Sequence, residues 1–442
     1  LFPLDLRWET GKRSRDYRVV AIRPFRAWRY NPEVVGDLGP VLAPPYDIIG
    51  PEAQERLYQA SPHNVVRLIL GKTYPTDTGT ENRYTRAQRD FAAWRTQRVL
   101  QPDPVPALYL VEQTFRDGGA DRSRLGFIAL LELDGALEGR VLRHEATLAA
   151  PKEDRTRLLE ALPANLEPIF CVYPDEGGRL QERLRRLTAA APAMQAALPE
   201  ETLRVWALTD SQLLEEAARR LASVSVLIAD GHHRFEVAHA HRDRHGALMT
   251  YFVSMADPAL VVRPIHRVVQ PEGRDAPHAL RELCRLEPAV DLAACLRWVE
   301  GAGEGGRFGY YDGRALHQAA VVPERLARWR YSPSVPPPVA GLDVSLLHGL
   351  ILPRMSPDGR PQRFAYTADA AEALRAVDRG EGRCAWLLRG IPLAQVYALA
   401  AQGFALPPKS TYFHPKVPSG LTIHAWQDTI NPPMPIPARV TE

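Results

Sequence analysis

Five consecutive residues, Asp230-Gly231-His232-His233-Arg234, carry side chains that can bind an anion or move a proton, and they stand at a change of periodicity. Ahead of them, Val224-Ser-Val-Leu-Ile-Ala229 is a short apolar run that reads as a buried strand. Behind them, Phe235, Val237 and Ala238 are threaded among charges, which reads as a helix. A glycine at such a junction lets the backbone turn sharply, and the first helix amides then point outward with the positive end of the helix dipole behind them. That arrangement favours a phosphate. Arg234 adds a planar fork of donors, Asp230 can hold a divalent cation or accept a proton, and His232 or His233 can shuttle a proton near neutral pH. The plainer alternative is a helix cap, with Asp230 on backbone amides and the histidines half solvated.

Three further polar clusters interrupt apolar segments. Lys409, Ser410 and Thr411 follow Pro407-Pro408 in a stiff loop, with Lys416 five residues beyond, and read as a second phosphate clamp or else as a solvated basic turn. The glycines of a Walker loop are absent. Arg143, His144 and Glu145 sit at a strand end, where Glu145 beside His144 makes an acid/base pair. Lys152-Glu-Asp-Arg155 opens a helix, and its mixed charges compete with a reading as an exposed, salt-bridged face. Asp47 and Asn64 can bind a metal or a substrate ammonium group, with Arg67 on the same stretch, whereas Tyr46 reads as packing. Gly-x-Ser-x-Gly, Gly-x-Gly-x-x-Gly, His-Glu-x-x-His and the protein-kinase set do not occur, which weighs against the common hydrolase, dehydrogenase and kinase classes. A metal-dependent hydrolase built on His232, His233, His144 and Asp230 is a weaker alternative, because adjacent histidines rarely both reach one metal.

Composition frames these sites. The chain has 442 residues, 45% hydrophobic and 24% charged, which suits a folded protein of two domains or one elaborated domain. Its 55 basic and 52 acidic side chains leave a net charge of +3, so nucleic acid is not an expected partner. Cys171, Cys284, Cys295 and Cys384 are far apart and read as core thiols. No run approaches the roughly 18 apolar residues that span a bilayer, and the first residues lack an export pattern, so no membrane association and a cytoplasmic location are expected.

The elements that must hold the clusters are strands and helices in alternation. Strands are expected at 107–115 and 124–133 as a hairpin, and at 166–173, 201–206, 224–229, 248–255 and 260–269. Residues 61–70 also read as a strand, and 275–303 as helix. Helices are expected at 81–98, at 178–189 and 211–222, and at 368–378. This order argues for an α/β protein, with α+β as the alternative, built on a mixed sheet with flanking helices. We divide it into a motif-bearing α/β domain over 1–270 and a C-terminal α/β region over 271–442, whose Pro-Pro-Lys-Ser-Thr loop returns to the site. The proline-rich stretch 332–338 is the best linker candidate.

Pro44-Pro-Tyr-Asp-Ile-Ile49, Asn64-Val-Val-Arg67, Arg143-His-Glu145, Lys152-Glu-Asp-Arg155, Ala229-Asp-Gly-His-His-Arg234, His266-Arg267 and Pro407-Pro-Lys-Ser-Thr-Tyr-Phe413 occur in this order. As a set they resemble the bacterial and archaeal family called domain of unknown function 1015, over essentially the whole chain. The turn at 230–234 with its helix is also similar to the nucleotide-binding motif of the ParB and sulfiredoxin-like superfamily, which includes free-serine kinases. That resemblance implies a superfamily core elaborated by insertions. It also implies nucleotide phosphates held by Gly231, His232, His233 and Arg234, often with magnesium, and a carboxylate such as Asp230, Glu145 or Asp47 as base or metal ligand.

The expected activity is phosphoryl transfer on a small hydroxyl metabolite, serine or phosphoserine first, in the kinase or the phosphatase direction. Asp230, His232 and Glu145 are the candidate catalytic residues. Gly231, His233, Arg234, Arg143, Lys409, Ser410 and Thr411 are assigned to phosphate or nucleotide, Asp47, Asn64 and Arg67 to substrate, and Asp230 to a metal. Magnesium and ATP or ADP are the expected cofactors, and a homo-oligomer is compatible with the chain. The alternative is a ParB-like nucleotide-binding regulatory protein without turnover. All four clusters are expected to converge on one pocket.

Overall fold

The computed structural model describes residues 19–133, 137, 139–145, 147, 149–270, 277–301, 305–330, 336–356 and 362–426. They form two compact units: one draws on 19–142, 147–260 and 415–426, the other on 143–145 and 261–414. The first, larger unit holds a nine-stranded sheet. Its strands are β1 (Ile22–Arg23), β2 (Leu108–Asp117), β3 (Ala120–Glu132), β4 (Val141–Leu142), β5 (Ile169–Tyr173), β6 (Met194–Ala197), β7 (Glu201–Leu208), β8 (Val226–Asp230) and β9 (Ala247–Ser254). They run in the order β4-β8-β5-β9-β3-β2-β7-β6, with β1 paired to β3. The β4–β8 and β5–β9 pairs are parallel and the others antiparallel, so the sheet is mixed as expected.

Residues of β5 and β9 are buried along their whole length, which is why they read as continuous apolar runs without alternation. The hairpin of β2 and β3 turns at Gly118-Gly119, both at positive φ, where glycine carries no steric cost. Helices α1 (Arg83–Thr96), α2 (Ala149–Ala161), α3 (Arg179–Leu187), α4 (Ser211–Ala222) and α5 (His232–Ala240) belong to this unit. Leu180 and Leu184 of α3, Leu213, Ala217 and Leu221 of α4, and Phe235 and Ala238 of α5 share one core with the sheet.

The second unit carries an antiparallel six-stranded sheet of β10 (His266–Val269), β11 (Cys284–Pro288), β12 (Arg307–Tyr311), β13 (Leu316–Val321), β14 (Phe364–Thr367) and β15 (Cys384–Leu387), in the order β11-β13-β12-β15-β10-β14. Helices α6 (Leu292–Glu300) and α7 (Ala370–Asp378) bury Leu292, Leu296, Ala373 and Val377 against it. Both units are therefore α/β, with helices packed on sheets.

Three segments differ from the sequence expectation. The strand expected over 260–269 is divided at Pro264 into Val261–Arg263, which pairs with Tyr412–His414, and β10. Residues 61–70 are a turn followed by a single helical turn, Val66–Ile69, instead of a strand. Asn64 decides this: its Oδ1 accepts from the Val66 amide at 2.9 Å, and its Nδ2 donates to the Pro40 and Leu42 carbonyls at 2.8 and 2.9 Å. The helix expected over 275–303 is interrupted by β11. Pro288 ends that strand, and Asp291 then opens α6 by accepting from the Ala294 amide at 2.6 Å. The proposed linker at 332–338 falls largely outside the described residues. No helix among the described residues is long and apolar enough to cross a membrane.

Candidate functional site

The turn at 230–234 is built by a strand that ends irregularly and a helix that starts at a glycine. Between Ile228 and Asp230 the register of β8 on β5 shifts, a bulge that re-aims the strand end. Gly231 follows at φ +92°, and a Cβ there would lie 2.8 Å from Ile169 Cγ2. Both the dihedral and the space demand glycine. Gly231 is the N-cap of α5 and, as a glycine, supplies no side-chain cap to the helix. Asp230 does not cap them: its oxygens accept from Arg234 Nη2 at 2.7 Å and from Lys416 Nζ.

The three side chains are only 9–11% exposed, so this is a buried ion triad. Desolvation raises the Asp230 carboxyl, but the charges of Lys416 and Arg234 outweigh it, with help from His232, and hold it below the usual carboxylate range. Desolvation likewise opposes the charge on Arg234. The carboxylates of Glu167, Asp230 and Asp47 more than offset it and hold that guanidinium above its ordinary value. Arg234 Nη1 also donates to the Pro168 carbonyl at 2.6 Å, and its buried Nε has no hydrogen-bond partner.

Glu167 is the second hub of this unit. It is buried, and its oxygens accept from the Tyr46 amide at 3.1 Å, Ser419 Oγ at 3.0 Å and Arg155 Nη1 at 3.5 Å. The Arg155 guanidinium lies 3.9 Å over the Tyr46 ring. Burial, against the opposing charge of Arg155, raises the Tyr46 hydroxyl well above its ordinary pKa, so it stays protonated. Residues 415–416 are pinned from the sheet. Arg124, fully buried on β3, donates to the Pro415 carbonyl at 2.7 Å, and Gln113 of β2 donates to the Lys416 carbonyl at 2.9 Å and to Glu201. Lys416 is thereby delivered to Asp230 by its backbone.

Between α2 and α5 lies a cavity of about 60 Å³. Leu158, Leu166, Val237 and Leu248 give it aliphatic walls, and Glu167 and Arg234 are also in its lining.

In the second unit, His144, Glu145 and the 407–411 loop come together. His144 Nε2 is 2.8 Å from Thr411 Oγ1, the Lys409 amide donates to Glu145 Oε1 at 2.8 Å, and the Leu406 amide donates to the His144 carbonyl at 2.7 Å. Lys409 adopts φ +59°, a left-handed conformation that is uncommon outside glycine. Ser410 Oγ donates to the Pro407 carbonyl at 2.5 Å. Arg267, fully buried on β10, donates to the Pro408 carbonyl at 3.3 Å and to His348 Nε2 at 3.1 Å, and burial pulls it down to about 10.

The sequence-derived assignments thus divide. Asp230, Gly231, His232, His233 and Arg234 share the turn, and Asp47 contributes its charge to Arg234. Asn64 spends its amide on backbone and is a scaffold residue in this structure, and Arg67 lies 4.3 Å over the Tyr58 ring while donating to the Tyr58 carbonyl. Glu145, Lys409, Ser410 and Thr411 gather in the other unit, to which the half-buried Arg143 also belongs. The Lys152–Arg155 run splits: Lys152 pairs with Glu236 at 3.1 Å, Glu153 with Arg157 on the surface, and Asp154 with Arg155 and Arg83 in a largely buried network.

The donor set at Asp230 does not fit a magnesium ion, because both oxygens already face cations, and a divalent ion would be the third positive charge on one carboxylate. Among the described residues no three of His, Cys, Asp and Glu gather into a metal-binding group. Sequence reasoning missed Glu167, Gln113 and Arg124. The signal for Glu167 was a lone acid between Leu166 and Pro168 at the head of an apolar strand, and for Arg124 a basic residue entering one.

No curated protein sequence matched the chain. Among solved structures, a conserved hypothetical protein from Pyrococcus furiosus aligns at 13% identity and TM-score 0.35, covering 68% of this chain and 96% of its own. A free serine kinase in complex with AMP aligns at 14% identity and TM-score 0.35, covering 68% and 92%. SbnI from Staphylococcus aureus, with a C-terminal truncation, aligns at 10% and 0.33, covering 67% and 87%. Likenesses this faint fix no function. The model of the family described as Protein of unknown function (DUF1015) matches residues 22–345, and the chain belongs to that family.

Proposed function

We propose that the protein carries out phosphoryl transfer on a small hydroxyl-bearing metabolite, with serine and phosphoserine as first candidates, at the turn 230–234. The observation that carries this reading is the buried Asp230 carboxylate, which holds Arg234 and Lys416 together beside the glycine-capped N-terminus of α5. Phosphoryl transfer asks for positioning and neutralisation of phosphate charge more than for covalent chemistry by the protein. The amides of Gly231, His232 and His233 and the cations of Arg234 and Lys416 are the groups for that charge. Asp230 is the clamp that keeps the cations in place, and His232 takes the hydroxyl or water proton.

ATP or ADP would bind here through its phosphates and supply the group transferred in the kinase direction; in the phosphatase direction phosphoserine meets water. No step is assigned to magnesium at Asp230. Glu145, Lys409, Ser410 and Thr411, with Arg143, remain a second candidate phosphate group within their own unit.

The alternative, nucleotide binding that regulates a partner without turnover, is favoured by one observation: the carboxylate of the turn is committed to two cations and is poorly placed to act as a base. Incubation with phosphoserine, and separately with serine plus ADP or ATP, with and without magnesium, followed by phosphorus NMR, separates the readings. Release or transfer of phosphate that Arg234→Ala abolishes supports the enzyme. Nucleotide protection without turnover supports the regulator, and the absence of both turnover and protection ends the phosphate reading.

A further inference from the structure

The cavity between α2 and α5 sits beside the phosphate turn and shares Arg234 with it. That residue reaches Asp230 and Pro168 through its two terminal nitrogens, lies in the cavity lining, and keeps a buried Nε without a hydrogen-bond partner. Its side chain is only 9% exposed. The remaining lining is dominated by aliphatic groups from Leu158, Leu166, Val237 and Leu248, with Glu167 as the fixed acid. Such a wall gains by covering carbon and offers few partners to water.

Size narrows the occupant. The cavity volume of about 60 Å³ is room for roughly four water-sized groups, whereas an engineered cavity that takes benzene is about 150 Å³. A nucleobase does not fit within that volume, and a body of roughly two to four carbons does.

We propose that this cavity receives the carbon body of the phosphate-bearing metabolite, and that the substrate class is a phosphomonoester of a short, largely aliphatic alcohol rather than a nucleotide. An unsubstituted three-carbon chain lies within the size limit. The inference rests on the phosphate reading of the turn and deepens it, since one arginine serves both the phosphate and the pocket for the carbon chain.

Calorimetric titration of the full chain with inorganic phosphate, with ethyl, propyl, butyl and hexyl phosphate, and with AMP tests it. Affinity rises about fourfold for each methylene up to the cavity limit and then stops rising. Propyl phosphate therefore binds several tens of times more tightly than inorganic phosphate and more tightly than AMP. Val237→Phe, which fills the cavity, brings propyl phosphate down to the affinity of inorganic phosphate, and Ala238→Val, a smaller filling, lowers it in the same direction; circular dichroism checks that both variants fold. Phosphate binding with no gain along the series, or tighter binding of AMP than of propyl phosphate, overturns the cavity inference alone. If none of the phosphates binds the wild-type chain, the reading of the turn falls and this inference with it. The wild-type series decides the matter even where a filled variant fails to fold.

Discussion

Replacing Asp230 by Asn keeps the shape of the side chain and removes the charge that holds Arg234 and Lys416 together. The three groups are nine-tenths buried, so water cannot take over the role of the carboxylate. Removing one partner of a buried pair costs about 3–5 kcal/mol, and here two cations are left facing each other, which places Asp230→Asn toward the upper end. Lys416→Met leaves Asp230 balanced by Arg234 and costs about 1.5–3 kcal/mol, the value of a charged hydrogen bond. The double variant relieves the repulsion between the cations, so its loss is smaller than the sum by about 2 kcal/mol. Urea unfolding of the four proteins at pH 7 measures this coupling, and repeating it in 0.5 M salt should change it little because buried pairs are poorly screened. A coupling below about 0.5 kcal/mol, the ordinary error of additivity, would refute the buried triad as described.

Other perturbations test the supports around the turn. Gly231→Ala meets both the φ of +92° and Ile169 Cγ2 at 2.8 Å, and it should lose about 1–3 kcal/mol in denaturant titration. Arg124→Met removes the donor to the Pro415 carbonyl and should cost about 2–4 kcal/mol, with greater protease sensitivity near residue 415 as the local readout. Lys409→Gly relieves a left-handed lysine and should leave stability equal or up to about 1 kcal/mol higher, whereas Lys409→Val should lower it. Burial, reinforced by Arg267, pushes His266 down to about 4 and His348 to about 3. A depressed histidine adds stability that is complete above its unfolded value of about 6.5 and is lost as pH falls below it, by about 1.4 kcal/mol per pH unit for each residue. Urea midpoints at pH 7.5 and 5.5 should therefore separate, and His348→Gln, which still accepts from Arg267, should reduce that separation.

The strand and helix on either side of the turn were legible because one is a continuous apolar run and the other a helix with Phe235 and Ala238 on the core side. What local pattern could not convey was the ending of β8. A one-residue register shift and a left-handed glycine are set by Ile169 and the neighbouring strand, which are distant in sequence. Residues 61–70 failed for the reason that makes short apolar runs ambiguous: Val65, Val66, Leu68 and Ile69 are buried whether extended or helical, and the Asn64 side chain settles the choice by bonding backbone on both sides. In 275–303 the signal was present, since Pro288 and Asp291 mark the end of one element and the start of another. The two lysines of the closing segment read as one clamp, yet Lys409 meets Glu145 through its amide while Lys416 meets Asp230 through its ammonium. The chain passes from one unit to the other between them, at 414–415, and spacing alone cannot reveal that crossing.

The energetics of the Asp230 triad bear on why such a group is present. A buried ion pair is a weak route to stability, because desolvation of its members consumes most of the attraction, and apolar residues of similar volume often do as well or better. This unit already has an extensive apolar core around β5, β8 and β9. Yet Arg124, Gln113, Glu167 and Asp230, together with the bulge and Gly231, all act to place Lys416 and Arg234 at the glycine-capped start of α5. Fixing two cations against their own repulsion, at the cost of four buried polar side chains, gives little return in folding free energy. On the proposed phosphate reading, the same arrangement fixes two cations beside the start of α5 before a ligand arrives, and such preorganised charge is what electrostatic stabilisation of a transferring phosphoryl group requires.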